Sequence, residues 1–377
     1  MNLERFHPPQ PTRETRRAAA ACIDSLAADN LKSSCLTTSP LGAVAKIVDH
    51  LEQDEMTVNK VWIVRTNSRE IADEPRDPTD AGTKSTHLSA WPFWFRSGTN
   101  RFERPLVYWL RSEAVAGLRA ASLEAANHGI FFNDAETVAS RWSKGVQPAV
   151  PLWLSTDSNC VPYDPASGQE VLAILRSALH ALYVEGESGF FYLAVHDDRD
   201  EQAHPLSPTD AQSAFNGMYR TMASPSPNDA RQIRLLGAGK AMAHVMDAAK
   251  LLQEDWDVMC ELWSCPSYTR LARDGYAAED WNMLNPMSAT RKPHVRRCLE
   301  NNQTPVVAVT GYTQHIAHQI GAFIPARFVA LGADSHGMGS RSSRVQWIVV
   351  TALKALADEG IIPIRWVEDA LKRYALV

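Results

Sequence analysis

The chain has 377 residues, 45% of them hydrophobic and 21% charged, with a formal net charge of -5. This is the make-up of a soluble globular protein of two or three domains, and it excludes a disordered or fibrous class and argues against nucleic acid or an anionic membrane as the main partner. No run approaches the roughly 18 apolar residues that cross a bilayer, and MNLERFHPPQPTRETRR has no apolar signal segment, so the cytoplasm is the expected compartment. The six cysteines include no CxxC pair, which speaks against a zinc site or a redox dithiol and for small buried apolar residues.

Residues 1–16, polar and proline-bearing, are expected to form an arm. A helical pattern runs from Glu14 to Asn30, and another from Leu41 to Gln53, where Val44, Ile47, Val48 and Leu51 recur at helical spacing. Val61 to Arg65 is β-branched and aromatic, hence a strand. From Arg69 to Arg104 the pattern gives way to prolines, threonines and acids around WPFWF, a long loop of the kind that carries function or a partner. PLVYWL (105–110), GIFF (129–132) and PLWL (151–154) are short apolar runs of buried-strand type, with a helical stretch between Glu113 and Asn127. A helix over QEVLAILRSALHALY follows NCVPYDP, then a strand GFFYLAV and an acidic turn HDDRDE, which is a solvated loop in preference to a cation site.

TMASPSPNDA (221–230) has linker composition, and the domain boundary is expected there. Beyond it, strands QIRLLG, DVMCELW, PVVAVT and RFVALG alternate with helices over 240–253, 313–320 and 343–359. Strands separated by single helices pair in parallel, so the expected fold class is α/β, with an open sheet in each half.

Three patterns invite a chemical reading. GAGKAM (237–242) follows a strand and opens a helix, as a dinucleotide-binding turn does, with Glu261 as the ribose carboxylate; the third glycine is replaced by Met242, and a tight turn also explains the glycines. His315 and His318 share one helix face, but two histidines without a carboxylate make a poor metal site, and no metal site is expected. GADSHGMGSRSSR (332–344) offers backbone N–H groups with Arg341 and Arg344 for an anion, or simply a serine N-cap. There is no nucleophile elbow and no Walker loop.

LARDG (271–275) followed by WNMLNP (281–286) resembles the C-terminal domain of the decarboxylase component of homodimeric-type pyruvate dehydrogenases, in the transketolase superfamily. NCVPYDP with its helix is similar to the last part of that family's pyrimidine-binding middle domain, and RFVALGADSHGMGSRSSR also corresponds in order and spacing. The resemblance implies a divergent transketolase-like pyrimidine-binding domain over 17–222 and a transketolase C-terminal-like domain over 231–377. In it, RLARDGYAAEDWNMLNP is a structural signature in which Arg273 and Asp274 tie loop to sheet.

The family's cofactor is thiamin diphosphate with magnesium, and its diphosphate-binding domain, with a Gly-Asp-Gly motif, has no counterpart in this sequence. The resemblance therefore implies a partner chain that supplies the diphosphate half, with the cofactor at the interface, together with self-association. The family also uses a glutamate against the aminopyrimidine, for which Glu74 and Glu103 are the candidates, and an aromatic residue, for which Tyr108 and Trp109 are the candidates. Its histidine loop is replaced by SKGVQPAVPLW, which has no histidine. Two readings follow: a subunit of a split thiamin-diphosphate-dependent 2-oxo acid decarboxylase or dehydrogenase, or a non-catalytic pseudoenzyme subunit with a scaffolding or regulatory role. A nucleotide-binding oxidoreductase built on GAGKAM is a third.

Overall fold

A computed structural model describes residues 10–27, 29–36, 38–66, 104–199, 205–224, 231–299, 303–335 and 341–376. Glu74, Glu103 and WPFWF lie outside the described residues. The chain divides into two compact units, Met1–Val161 with Val171–Pro205, and Pro162–Glu170 with Leu206–Val377.

The first unit opens with α1 (Arg13–Ser25), whose Thr12 cap accepts from Thr15 N at 3.1 Å. The arm expected over 1–16 therefore gives way to helix already at Arg13. The single helix expected over 14–30 is two, α1 and α2 (Asp29–Leu36). In α3 (Pro40–Gln53) Ser39 accepts from Gly42 N at 3.0 Å, and Pro40 sits where its missing N–H would have no helical partner. The stripe Val44, Ile47, Val48 and Leu51 is buried.

Strands β1 (Trp62–Arg65), β2 (Leu106–Leu110) and β3 (Gly129–Asn133) follow, with α4 (Val115–Glu124) between the last two. PLWL, expected as a strand, lies in helix α5 (Ala149–Thr156). Four apolar residues carry no period of their own, and Pro151 falls in the first turn, where helical N–H groups are unpaired and proline costs nothing. The unit is completed by β4 (Cys160–Tyr163), α6 (Gly168–His180) and β5 (Phe190–Ala194). The five strands lie in the order β1-β2-β3-β5-β4, with β1, β2, β3 and β5 parallel. These four strands are buried along their whole length, as both-faces-covered parallel strands must be.

The second unit begins before the expected linker, with α7 (Pro208–Phe215) and β6 (Tyr219–Met222), both too short and polar to read from periodicity. Next come β7 (Gln232–Gly237), α8 (Ala241–Trp256), β8 (Met259–Ser264), α9 (Tyr268–Leu284), α10 (His294–Leu299) and β9 (Val306–Val309). It ends with α11 (His315–His318), β10 (Phe328–Leu331), α12 (Arg341–Asp358) and α13 (Arg365–Arg373). The sheet order is β10-β9-β7-β8-β6, parallel except for β6. Ile233 and Leu235 of β7, Val245 and Leu252 of α8, and Ile348 and Leu353 of α12 meet in its core. Both sheets are open, and among the described residues no helix is long and apolar enough to cross a membrane.

The stretch LARDG…WNMLNP occupies α9 and its exit. Asp274 accepts from His294 N at 2.6 Å and faces Arg291 at 3.5 Å, while Asn282 accepts from Arg291 N at 2.7 Å and donates to Arg291 O at 3.0 Å. These two side chains fold residues 285–293 back along the helix. Asp274 thus ties the loop to a helix start and not to the sheet.

Residues 162–170 are sewn into the second unit by a buried carboxylate. Glu170, 1% exposed, accepts from Ala166 N at 2.7 Å, the Tyr219 hydroxyl at 2.9 Å and the Ser264 hydroxyl at 2.6 Å. Burial raises the Glu170 carboxyl above its ordinary 4.5, against the pull of these donors. A raised folded-state value favours the protonated form, so the stability it contributes is full below the ordinary value and is lost as pH rises through the raised one. Glu170→Gln, which cannot ionise, should flatten the dependence of urea-unfolding stability on pH above 4.5. Parallel wild-type and variant curves would contradict the assignment.

Candidate functional site

In open parallel α/β sheets ligands bind beyond the carboxyl ends of the strands, so both carboxyl edges were candidates. In the first unit this edge is formed by Arg65, Leu110 with Arg111 and Ser112, and Asn133 with Asp134. Neighbouring residues of a strand face opposite sides of the sheet, so Tyr108 and Trp109 cannot both line one ligand.

Tyr108 stacks on Phe131 with ring centroids 5.3 Å apart, and its hydroxyl donates to Glu124 at the end of α4, 3.2 Å away. Burial, then the charge of Glu124, pushes its pKa well above the ordinary phenol range, so it stays neutral. Trp109 is also buried. Its indole N–H donates to Asp134 at 3.2 Å, and the Arg65 guanidinium lies 5.6 Å from its ring centroid. Arg65 is in turn held by Asp49 at 2.9 Å and Glu52 at 2.6 Å, both on α3.

Asp134 is the centre of this edge. Its carboxylate, 1% exposed, takes two parallel bonds from Arg111, at 2.8 and 2.9 Å, besides the indole N–H. Beside it Asn133 accepts from Ser112 N at 3.0 Å and donates to Ser112 O and to the Tyr192 hydroxyl, both at 2.9 Å. A third ion pair, Lys144 with Glu136 at 2.5 Å, is nearly inaccessible. Lys144 and Gly145 both have left-handed backbone, and a side chain at Gly145 would meet Ala135 O at 2.1 Å. Each cation here is neutralised by a carboxylate of this same chain.

An aminopyrimidine needs an open aromatic or apolar face and an acid free to bond its ring nitrogen. Among the described residues neither is offered at this edge: Tyr108 and Trp109 are packed, and Asp134 and Glu136 are spent on Arg111 and Lys144. The described residues therefore do not fit the cofactor implied by the resemblance. Reading from sequence singled out Tyr108 and Trp109 and passed over Arg111 and Asp134. The signal was present, because a cation directly follows one apolar strand and an acid directly follows its neighbour.

The second unit's carboxyl edge is filled in a similar way. Gly239, at φ +52, is the closest approach in the GAGKAM turn, where a Cβ would lie 2.1 Å from Asp164 Oδ1. Gly239 N donates to Asp164 O at 2.9 Å, and Asp164 N to Pro266 O at 2.6 Å. A carboxylate thus occupies the place a pyrophosphate would need. Glu261, the proposed ribose ligand, sits inside β8 and is bound by Arg234 at 2.9 Å and Arg220 at 3.5 Å. The dinucleotide reading is therefore corrected: the glycines admit Asp164.

His315 and His318 are exposed on the short α11, His315 bonded to the Thr313 hydroxyl at 2.7 Å. Among the described residues no cluster of three or more His, Cys, Asp or Glu is arranged to hold a metal. Of GADSHGMGSRSSR, residues 336–340 lie outside the described residues; Gly332 is required because a Cβ there would lie 2.1 Å from Gln314 N.

Residues 217–347 match the family described as Transketolase-like TK C-terminal domain. Over these residues the chain is similar to transketolase-like C-terminal domains. The pyruvate dehydrogenase E1 component of Cupriavidus necator is 37% identical over 227 residues, 58% of this chain and 25% of that protein. That of Pseudomonas aeruginosa is 33% identical over 235 residues, 60% of this chain and 26% of that protein. The chain thus spans about a quarter of the length of the curated relatives it matches. Among solved structures, a split-gene transketolase, solved as an inactive beta4 tetramer, superposes with TM-score 0.53 at 13% identity. That match covers 85% of this chain and 99% of the other, and shows a shared fold. The matched residues 217–347 span the second sheet and the α9 motif, whereas the charged edge described above lies in the first unit.

Because Asp134 is buried, it depends on Arg111. Arg111→Met should lower stability by about 2–4 kcal/mol by leaving a buried charge uncompensated. Adding Asp134→Asn, which removes the charge but keeps an acceptor for Trp109, should recover about half of that loss. Urea unfolding of the two variants checks both numbers, and additive losses would contradict the coupling.

Proposed function

We propose that this chain is a non-catalytic relative of the pyruvate dehydrogenase E1 component, a scaffold subunit that keeps a divergent pyrimidine-binding-type unit and a transketolase-like C-terminal unit for assembly. The carrying observation is the buried Asp134 carboxylate bonded to Trp109 and Arg111. It commits to folding the groups that an aminopyrimidine site would need to keep open. The similarity to E1 components over 58% of the chain supports the lineage. The cytoplasm is the compartment we assign to it.

A second reading is favoured by a different observation. The split-gene transketolase chain is matched over 99% of its length, and Glu74 and Glu103 both fall in 67–103, outside the described residues. In this reading the chain is one subunit of a thiamin-diphosphate- and magnesium-dependent 2-oxo acid decarboxylase or dehydrogenase. A partner chain carries the diphosphate-binding domain, and one of the two glutamates faces the aminopyrimidine.

The two readings part on Glu74→Gln and Glu103→Gln. Pyruvate decarboxylation is measured for the chain with thiamin diphosphate and Mg²⁺, alone and together with the polypeptide that copurifies with it. The scaffold reading expects no dependence on either glutamate. A loss of about 100-fold or more in one variant, the size of an acid/base contribution, establishes the split enzyme instead.

A further inference from the structure

The sheet of the second unit ends at β6, which pairs with β8 on one side and, among the described residues, with no strand on the other. Such an edge offers a row of unpaired backbone N–H and C=O groups, the template on which an extended peptide adds as a further strand. Its side chains are not covered: Arg220, Thr221 and Met222 are all exposed, Met222 at 43%.

The edge is flanked by a concentration of positive charge in a chain whose net charge is -5. From Trp281 to Leu299 the sequence holds Arg291, Lys292, Arg296 and Arg297 and no acid, and all four bases are exposed. Helix α10 brings this run to β6. Its first residue, His294, bonds through Nε2 to Met218 O at 2.9 Å, and its last, Leu299, accepts from Arg234 of β7 at 2.7 Å. Arg220 stands on the same side of the sheet, 6.0 Å from the Trp263 ring centroid and 3.5 Å from the Glu261 carboxylate that also binds Arg234. Burial raises the Cys298 thiol to about 11, against the pull first of Arg297 and then of Arg220, so both guanidinium groups lie near it.

These cations outnumber their acids. Glu261 is shared between Arg220 and Arg234, and Asp274 meets only Arg291, at 3.5 Å. Arg297 donates to Lys292 O at 3.0 Å, and among the described residues neither it nor Arg296 pairs with a carboxylate. A bare edge lined with bases repels a second copy of itself, because base would face base, and selects a strand that carries acids.

We propose that β6, with Arg220, Arg296 and Arg297 beside it, is a docking edge for an extended acidic segment of a different polypeptide, which adds to the sheet as a further strand and lays its carboxylates on these bases. The backbone supplies affinity and the bases choose the partner. Nucleic acid is the poorer occupant, because Tyr219 and Trp263, the aromatic side chains at this edge, are buried and present no face for a base to stack on. This inference goes beyond the scaffold reading and holds whether or not the chain is catalytic.

Fluorescence anisotropy of a short labelled peptide of alternating glutamate and valine, titrated with the full chain, tests it. The wild type is expected to bind saturably and to lose affinity as salt rises from ~0.05 to ~0.3 M. Arg296→Ser with Arg297→Ser, and separately Arg220→Gln, which leaves Glu261 paired with Arg234, should each weaken binding by about tenfold with an unchanged thermal unfolding curve. Two further peptides, one N-methylated at every valine and one at every glutamate, separate pairing from charge. An added strand turns alternate N–H groups to the edge, so one of the two should bind at least about tenfold more weakly than the parent. No saturable binding by the wild type, arginine variants that bind as the wild type does, or two methylated peptides that both bind like the parent would overturn the proposal. So would equal binding of a lysine–valine peptide, or a single-stranded oligonucleotide that displaces the acidic peptide at equal concentration.

Discussion

A carboxylate buried to 1% exposure must be paid for by partners within reach, and at Asp134 those partners are the Arg111 guanidinium and the Trp109 indole N–H. The rest of the first unit's carboxyl edge follows from this. Trp109 is held by its nitrogen, its face is taken by Arg65, and Arg65 in turn draws Asp49 and Glu52 of α3 onto the end of β1. Asn133, next to Asp134, extends the same bonding to Ser112 and Tyr192. Strands β1, β2, β3 and β5 are thus joined at their ends by side chains as well as by the backbone ladder.

The second unit solves the same problem with residues from 162–170. Asp164 lies over the turn after β7, and Glu170 gathers Tyr219 of β6 and Ser264 of β8. In both units, carboxylates of the chain itself stand where α/β proteins of this architecture hold ligands. The fold of the relatives is kept, while strand-end positions serve cohesion. The proposed scaffold role rests on this use of the strand ends.

Much of the fold was legible because parallel strands buried on both faces leave continuous apolar runs, as in GIFF and GFFYLAV, and because α3 shows its stripe at 44, 47, 48 and 51. PLWL failed for the converse reason: a four-residue apolar run has no period, and only the first-turn position of Pro151 marks it as helix. The site was less legible. Tyr108 and Trp109, alternative candidates for one aromatic role, are both packed inside the sheet, and aromatic character alone does not reveal that burial. Arg111 and Asp134 lie 23 residues apart in sequence, and only the parallel pairing of β2 with β3 brings them together. The α9 motif identified the lineage correctly, but its mechanism, a clamp on the loop before α10, needs the partners of Asp274 and Asn282 to be seen.

The claim that these groups are committed to the fold is tested most directly at the Trp109 indole N–H, followed by NMR in the presence of thiamin diphosphate and Mg²⁺. A hydrogen bond to a buried carboxylate predicts a resonance slow to exchange with solvent and unmoved by the cofactor, with or without the copurifying polypeptide. A saturable shift of that resonance, lost in Glu74→Gln or Glu103→Gln, would contradict the account and return the chain to the split enzymes.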